Sequence, residues 1–173
     1  MSSTSATPLV AILMGSDTDL PVMQQVADQL TKFGIPHTMD IISAHRSPAR
    51  TAEFARTAAA RGLKVLIAGA GAAAALAGAL AAETTLPVIG VPLATTPLAG
   101  FDALLSTAML PAGVPVATMA VGGGTNAAVL AAQMLALSDA ALAKKLVEFK
   151  QELVRKVEEK SRKLQSKGTA ARE

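Results

Sequence analysis

Cysteine is absent from this chain of 173 residues, which removes disulfides, thiolate zinc sites and thiol nucleophiles from consideration. Tryptophan and tyrosine are absent too, and four phenylalanines bring the aromatic content to only 2%. Nothing here stacks nucleic-acid bases strongly, so a nucleic-acid partner is not expected. Charge of one sign is scarce. The net charge of +3 at pH 7 sits mostly beyond Lys144, among interspersed Glu residues, as on a solvated helix face. The longest apolar stretch, residues 65–82, is mostly alanine and is broken by Gly69, Gly71 and Gly78, so no membrane span is expected. Residues 1–8 are polar and lack a basic segment ahead of an apolar one. They read as a disordered N-terminus without a signal peptide, which with the missing cysteine fits a cytoplasmic protein.

What is present is aliphatic. Hydrophobic residues make up 51% of the chain, so the core must be Val, Leu, Ile, Met and many Ala. Small side chains bury little area each, and oligomerisation is an expected source of added stability. Apolar runs alternate with helical stretches, which predicts an α/β fold with a parallel sheet and crossover helices. Strands are expected at 10–14, 38–42, 65–68, 88–91 and 116–120. Helices are expected at 19–33, 48–61, from the Gly/Ala stretch to about 83, at 100–107 and at 126–136. A long last helix over 138–165 carries Leu142, Leu146, Phe149, Leu153 and Val157 on one stripe, with Glu-to-Lys/Arg pairs four residues apart opposite. Gly168 is expected to end it, leaving residues 9–168 as one domain and 169–173 as a loose tail.

Three glycine-bearing turns and one His-Arg turn follow strands, so a doubly wound sheet would place them along one edge. After the first strand, Gly15 permits a tight turn, Ser16 and Thr18 offer hydroxyls, and Asp19 either caps the helix or binds ribose hydroxyls. A cap cluster without a ligand explains the same residues. No G-x-G-x-x-G follows this strand and no Gly-Lys-Ser/Thr is present, so neither a Rossmann fingerprint nor a P-loop is there. After the second strand, Ser43-Ala44-His45-Arg46-Ser47-Pro48 sets an imidazole beside a guanidinium at a helix start. That pair suits a general acid/base next to a phosphate clamp, although a solvated Arg46 and a helix-capping His45 fit equally. After the third strand, Gly69 and Gly71 allow close backbone approach to a ligand. Residues 122–126 read as a further flexible turn.

Together with Thr85-Leu86-Pro87-Val88-Ile89-Gly90-Val91-Pro92, Gly113-Val114-Pro115-Val116-Ala117-Thr118 and the stretch from Asn126 to Gln133, these motifs closely resemble the N5-carboxyaminoimidazole ribonucleotide mutases. That family is also called the catalytic subunit of phosphoribosylaminoimidazole carboxylase. The resemblance spans residues 10–168, and the His-Arg pair is similar to the mutase branch rather than the branch that uses free CO2, which typically has His-Lys. It implies a three-layer flavodoxin-like parallel sheet with helices on both faces and a long C-terminal helix, assembled as a homo-octamer. It implies a small-molecule ribonucleotide substrate and no metal or organic cofactor. Carried over by position, His45 is the acid/base. Ser16, Asp17, Asp19, Ser43 and Arg46 bind substrate, and Gly69, Ala70 and Gly71 form a pocket floor. The family motif Gly-Ala-Gly-Gly-Ala-Ala-His-Leu-Pro-Gly departs here to Gly69-Ala70-Gly71-Ala72-Ala73-Ala74-Ala75-Leu76-Ala77-Gly78, so the family's histidine is Ala75. Ala108-Met109-Leu110-Pro111 stands where the family usually reads Val-Gln-Met-Pro. These changes leave a second reading open, a catalytically inactive or engineered oligomeric scaffold that keeps the fold. Residues 72–75 are expected to extend the following helix, since Ala is the best helix former.

Overall fold

A computed structural model describes residues 7–170. Two compact units are present, one ending at Met134 and one beginning at Leu135.

The first unit is a five-stranded parallel sheet. Its strands are β1 (Val10–Met14), β2 (His37–Ile41), β3 (Val65–Gly71), β4 (Val88–Leu93) and β5 (Ala117–Thr118), in the order β2-β1-β3-β4-β5. That order is the flavodoxin-like doubly wound arrangement. All five residues of β1 are buried, as a strand covered on both faces requires. Side chains alternate across the sheet. Ala11, Leu13, Leu66 and Ala68 meet α2 (Pro48–Ala58) and α3 (Leu76–Ala81) through Ala55, Ala58, Leu76 and Leu80. On the opposite face lie α1 (Leu20–Phe33) and α5 (Gly124–Ala136), which touch where the Val22 carbonyl approaches Gly124. Helix α4 (Phe101–Ala108) packs Thr107 over Gly90.

Local rules account for the element ends. Met23, Val26, Leu30 and Phe33 recur at helical spacing and are buried, each contributing about 1.5–3 kcal/mol of burial. Gly34 stops α1 at φ 74°, and its N–H donates to the Leu30 and Thr31 carbonyls. Gly69 lets α1 settle on the sheet, because a Cβ there would overlap the Met23 sulfur.

Several boundaries differ from the sequence expectation. β3 runs on to Gly71 and β4 to Leu93, because Ala70 pairs with Pro92 and Gly71 with Leu93. Residues 72–75 do not continue a helix: Ala72 is left-handed at φ 50° and α3 starts only at Leu76. β5 shrinks to two residues, although Met119 N–H still reaches the Gly90 carbonyl and Gly122 N–H the Pro92 carbonyl. Gly124, Thr125 and Asn126 form the first turn of α5 rather than a flexible turn.

The second unit holds α6 (Ala140–Ala170), whose first turn is capped where Leu142 N–H donates to Asp139 Oδ1 at 2.9 Å. Lys156 and Glu152 pair at 2.5 Å on its surface. The helix passes through Gly168 without ending there, so Thr169 and Ala170 are helical rather than tail. Of residues 1–8, expected to be disordered, 1–6 lie outside the described residues, as do the tail residues 171–173.

Candidate active site

The loops after β1, β2, β3 and β4 meet at the carboxyl edge of the sheet around a cavity of about 330 Å³. The first loop is a capping box. Ser16 N–H donates to Asp19 Oδ2 at 3.1 Å, and Thr18 N–H donates back to Ser16 Oγ at 3.4 Å. Asp17 Oδ1 accepts from Ser16 Oγ and from Thr18 N–H. Asp19 is only 5% exposed. Burial raises its pKa above the usual 3.8. Backbone N–H groups of Ser16 and Gly15 oppose that, the charge of Asp17 adds to it, and that of Arg46 opposes it.

The second loop is tied to the first. Arg46 Nη2 donates to the Gly15 carbonyl at 2.7 Å, and Arg46 N–H donates to Ser43 Oγ at 3.1 Å. Ser47 N–H and Oγ both donate to the Ser43 carbonyl, at 2.8 and 2.9 Å, before Pro48 opens α2. The helix N-cap is Ser47, so His45 does not cap it. Nor is Arg46 merely solvated, since it spans two loops. His45 is exposed at the cavity wall, and among the described residues its ring has no hydrogen-bond partner. His37 lies at the other end of β2, with Nδ1 2.9 Å from the Ile35 carbonyl.

Of the residues singled out from sequence, Ser16, Asp19, Ser43, His45, Arg46, Ala70 and Gly71 line this one cavity. Asp17 and Gly69 do not. Asp17 turns toward a neighbouring groove with Met14, Leu20 and Ile41, and Gly69 lies within β3 beneath Met23. The loop after β5 does not contribute either. Gly15 and Thr18 of the first loop line it as well, and Ala44, Ala72, Ala74, Ala75, Leu76 and Thr95 complete the lining. Thr95 carried no motif, and its one available signal was its position two residues past a strand of the same parallel sheet. The result is a two-sided site, with hydroxyls, a carboxylate, an imidazole and a guanidinium on one wall and small apolar side chains on the other. Among the described residues no group of three or more His, Asp or Glu is placed to hold a metal ion, and no helix is long and apolar enough to cross a membrane.

The AIR carboxylase family model matches residues 9–156. N5-carboxyaminoimidazole ribonucleotide mutase of Pyrococcus horikoshii is 48% identical over 168 residues, covering 97% of this chain and 95% of that protein. The mutase of the same name from Thermotoga maritima is 49% identical over 161 residues, covering 93% and 94%. The crystal structure of Treponema denticola PurE superposes with a TM-score of 0.82 at 30% identity, covering 91% of this chain and 98% of that one.

Proposed function

The chain belongs to the AIR carboxylase family, and on that footing we propose that it is an isomerase converting N5-carboxyaminoimidazole ribonucleotide to 4-carboxy-5-aminoimidazole ribonucleotide in purine biosynthesis. The observation that carries this reading is the unpartnered His45 ring beside an Arg46 guanidinium fixed to Gly15, both on one cavity.

The chemistry needs one proton moved and one carboxylate transferred. The bond between the exocyclic nitrogen and the carboxylate carbon breaks, CO2 leaves, and the nitrogen takes a proton from His45. C4 of the aminoimidazole then attacks the retained CO2, and His45 takes the proton that C4 loses. An imidazole can give and take a proton within one turnover near neutral pH. Arg46, Ser16 and Ser43 hold the phosphate-bearing end, with Asp19 toward the ribose, as charge and hydroxyl chemistry favour. The apolar wall at Ala72, Ala74 and Ala75 suits retention of uncharged CO2 away from water. Neither a metal nor an organic cofactor enters this scheme.

The protein acts in the cytoplasm as a homo-oligomer, an octamer by family likeness. Support comes from large apolar side chains left exposed on the first unit, including Leu98, Phe101 and Met109. The test is turnover of N5-carboxyaminoimidazole ribonucleotide by the purified protein, beside His45→Asn and Ala75→His. Turnover that His45→Asn abolishes is expected. Absence of turnover in both the unmodified protein and Ala75→His overturns the reading.

A further inference from the structure

The cavity is divided along the sheet. On the β1 and β2 side stand Ser16, Asp19, Ser43, His45 and Arg46, while the β3 loop offers only Ala, Gly and Leu. On the β3 and β4 half, the one side-chain hydrogen-bonding group among the described lining residues is the Thr95 hydroxyl. Strands of a sheet lie about 4.8 Å apart, so the ends of β2 and β4, three spacings apart in this order, are separated by about 14 Å. A ribonucleotide can lie across that span.

Thr95 and its neighbour Thr96 differ in what they do. Thr96 Oγ1 donates to Asp102 Oδ2 at 2.8 Å and accepts from Leu98 N–H at 3.2 Å, which pins the loop after β4. Thr95 Oγ1 bonds to no protein atom among the described residues, although it lines the cavity. Its approach depends on Gly71, where a Cβ would overlap the Thr95 hydroxyl and methyl. A hydroxyl set at a ligand cavity, backed by a pinned neighbour and admitted by a glycine, is placed to serve the ligand rather than the fold.

We propose that Thr95 donates a hydrogen bond to the carboxylate carried by the substrate's imidazole end, and so selects the carboxylated nucleotide. This rests on the function proposed above, which holds the phosphate with Arg46 and brings the imidazole within reach of His45, so the base lies toward β3 with Thr95 on its far side. The chemistry favours a neutral donor there. A cation would hold the carboxylate tightly in the ground state and oppose its departure as CO2, whereas a hydroxyl orients the group and releases it.

The test compares binding of 4-carboxy-5-aminoimidazole ribonucleotide and of 5-aminoimidazole ribonucleotide, which lacks the carboxylate, to the full chain and to Thr95→Val and Thr95→Ser. Thr95→Val is expected to weaken the carboxylated ligand about tenfold and to leave the other within twofold, with Thr95→Ser close to the unmodified protein. A general loosening of the site would weaken both ligands alike and would overturn the assignment, as would no change in either. If the unmodified protein binds neither compound, the proposed function itself falls and the assignment with it. Binding by the unmodified protein with indifference to Thr95→Val overturns the assignment alone.

Discussion

Arg46 Nη2 and the Gly15 carbonyl meet at 2.7 Å across 31 residues of sequence, so the loop after β2 is latched to the loop after β1. The latch orients a guanidinium at the cavity while its remaining N–H groups stay available. Lys cannot reproduce it, because a single ammonium lacks the planar fork that reaches Gly15 and Ser43 together. Arg46→Lys is expected to raise KM about tenfold or more, the range for a hydrogen bond to a charged group, with a smaller change in kcat. Because Arg46 is exposed, its unfolding midpoint in urea should stay nearly fixed. Steady-state kinetics and a urea titration of the same preparation check both halves.

Asp19 makes stability depend on pH in a definite direction. Its folded pKa is raised, chiefly by burial, above the usual 3.8. Between 3.8 and that raised value the native state holds more protons than the unfolded chain, so this group's contribution to stability falls as pH rises through the window. Asp19→Asn keeps an acceptor for the Ser16 N–H and removes the titration. The variant is expected to show a flatter stability profile across that window, measured by urea unfolding at stepped pH. A profile parallel to that of the unmodified protein would exclude Asp19 as the source.

Ala72 carries a backbone conformation that alanine disfavours. At φ 50° it sits in the left-handed region, which costs an L-residue about 1–2 kcal/mol. Ala72→Gly removes that cost and regains part of it as unfolded-chain entropy. The expected net gain is about 0.5–1 kcal/mol, read as a higher urea midpoint at unchanged slope. Ala72→Val should move the midpoint the other way.

The same residue explains where sequence reasoning succeeded and where it stopped. The alternation of apolar runs and helical stretches was enough for the sheet, and the strand-following loops were enough to bring Ser16, Asp19, Ser43, His45 and Arg46 to one cavity. Those signals are local and repeat along the chain. The loop at 72–75 is set instead by the β3–β4 ladder running on to Gly71 and Leu93, a pairing between distant residues that outweighs alanine's helix propensity. Thr95 was illegible because a threonine in Ala-Thr-Thr-Pro has no pattern of its own, and only the sheet order places it opposite Arg46. Gly168 misled in the other direction, since glycine within a helix costs only about 1 kcal/mol and α6 continues through it.

Gly69 and Gly71 lie two residues apart on one strand, yet substitution should separate their roles. A Cβ on Gly69 presses on Met23, which is buried between α1 and the sheet, whereas a Cβ on Gly71 presses on Thr95 at the cavity. Gly69→Ala is therefore expected to cost about 1 kcal/mol of stability, near the low end for overpacking because Met is flexible, and to leave KM unchanged. Gly71→Ala is expected to raise KM for the carboxylated nucleotide and also to cost stability, because the added Cβ would overlap Thr95 Cβ as well as its hydroxyl and methyl, and turning the side chain does not move that Cβ. Kinetics and urea unfolding of both variants provide the check. A KM effect from Gly69→Ala equal to that from Gly71→Ala would mean that Gly69 serves the pocket floor after all.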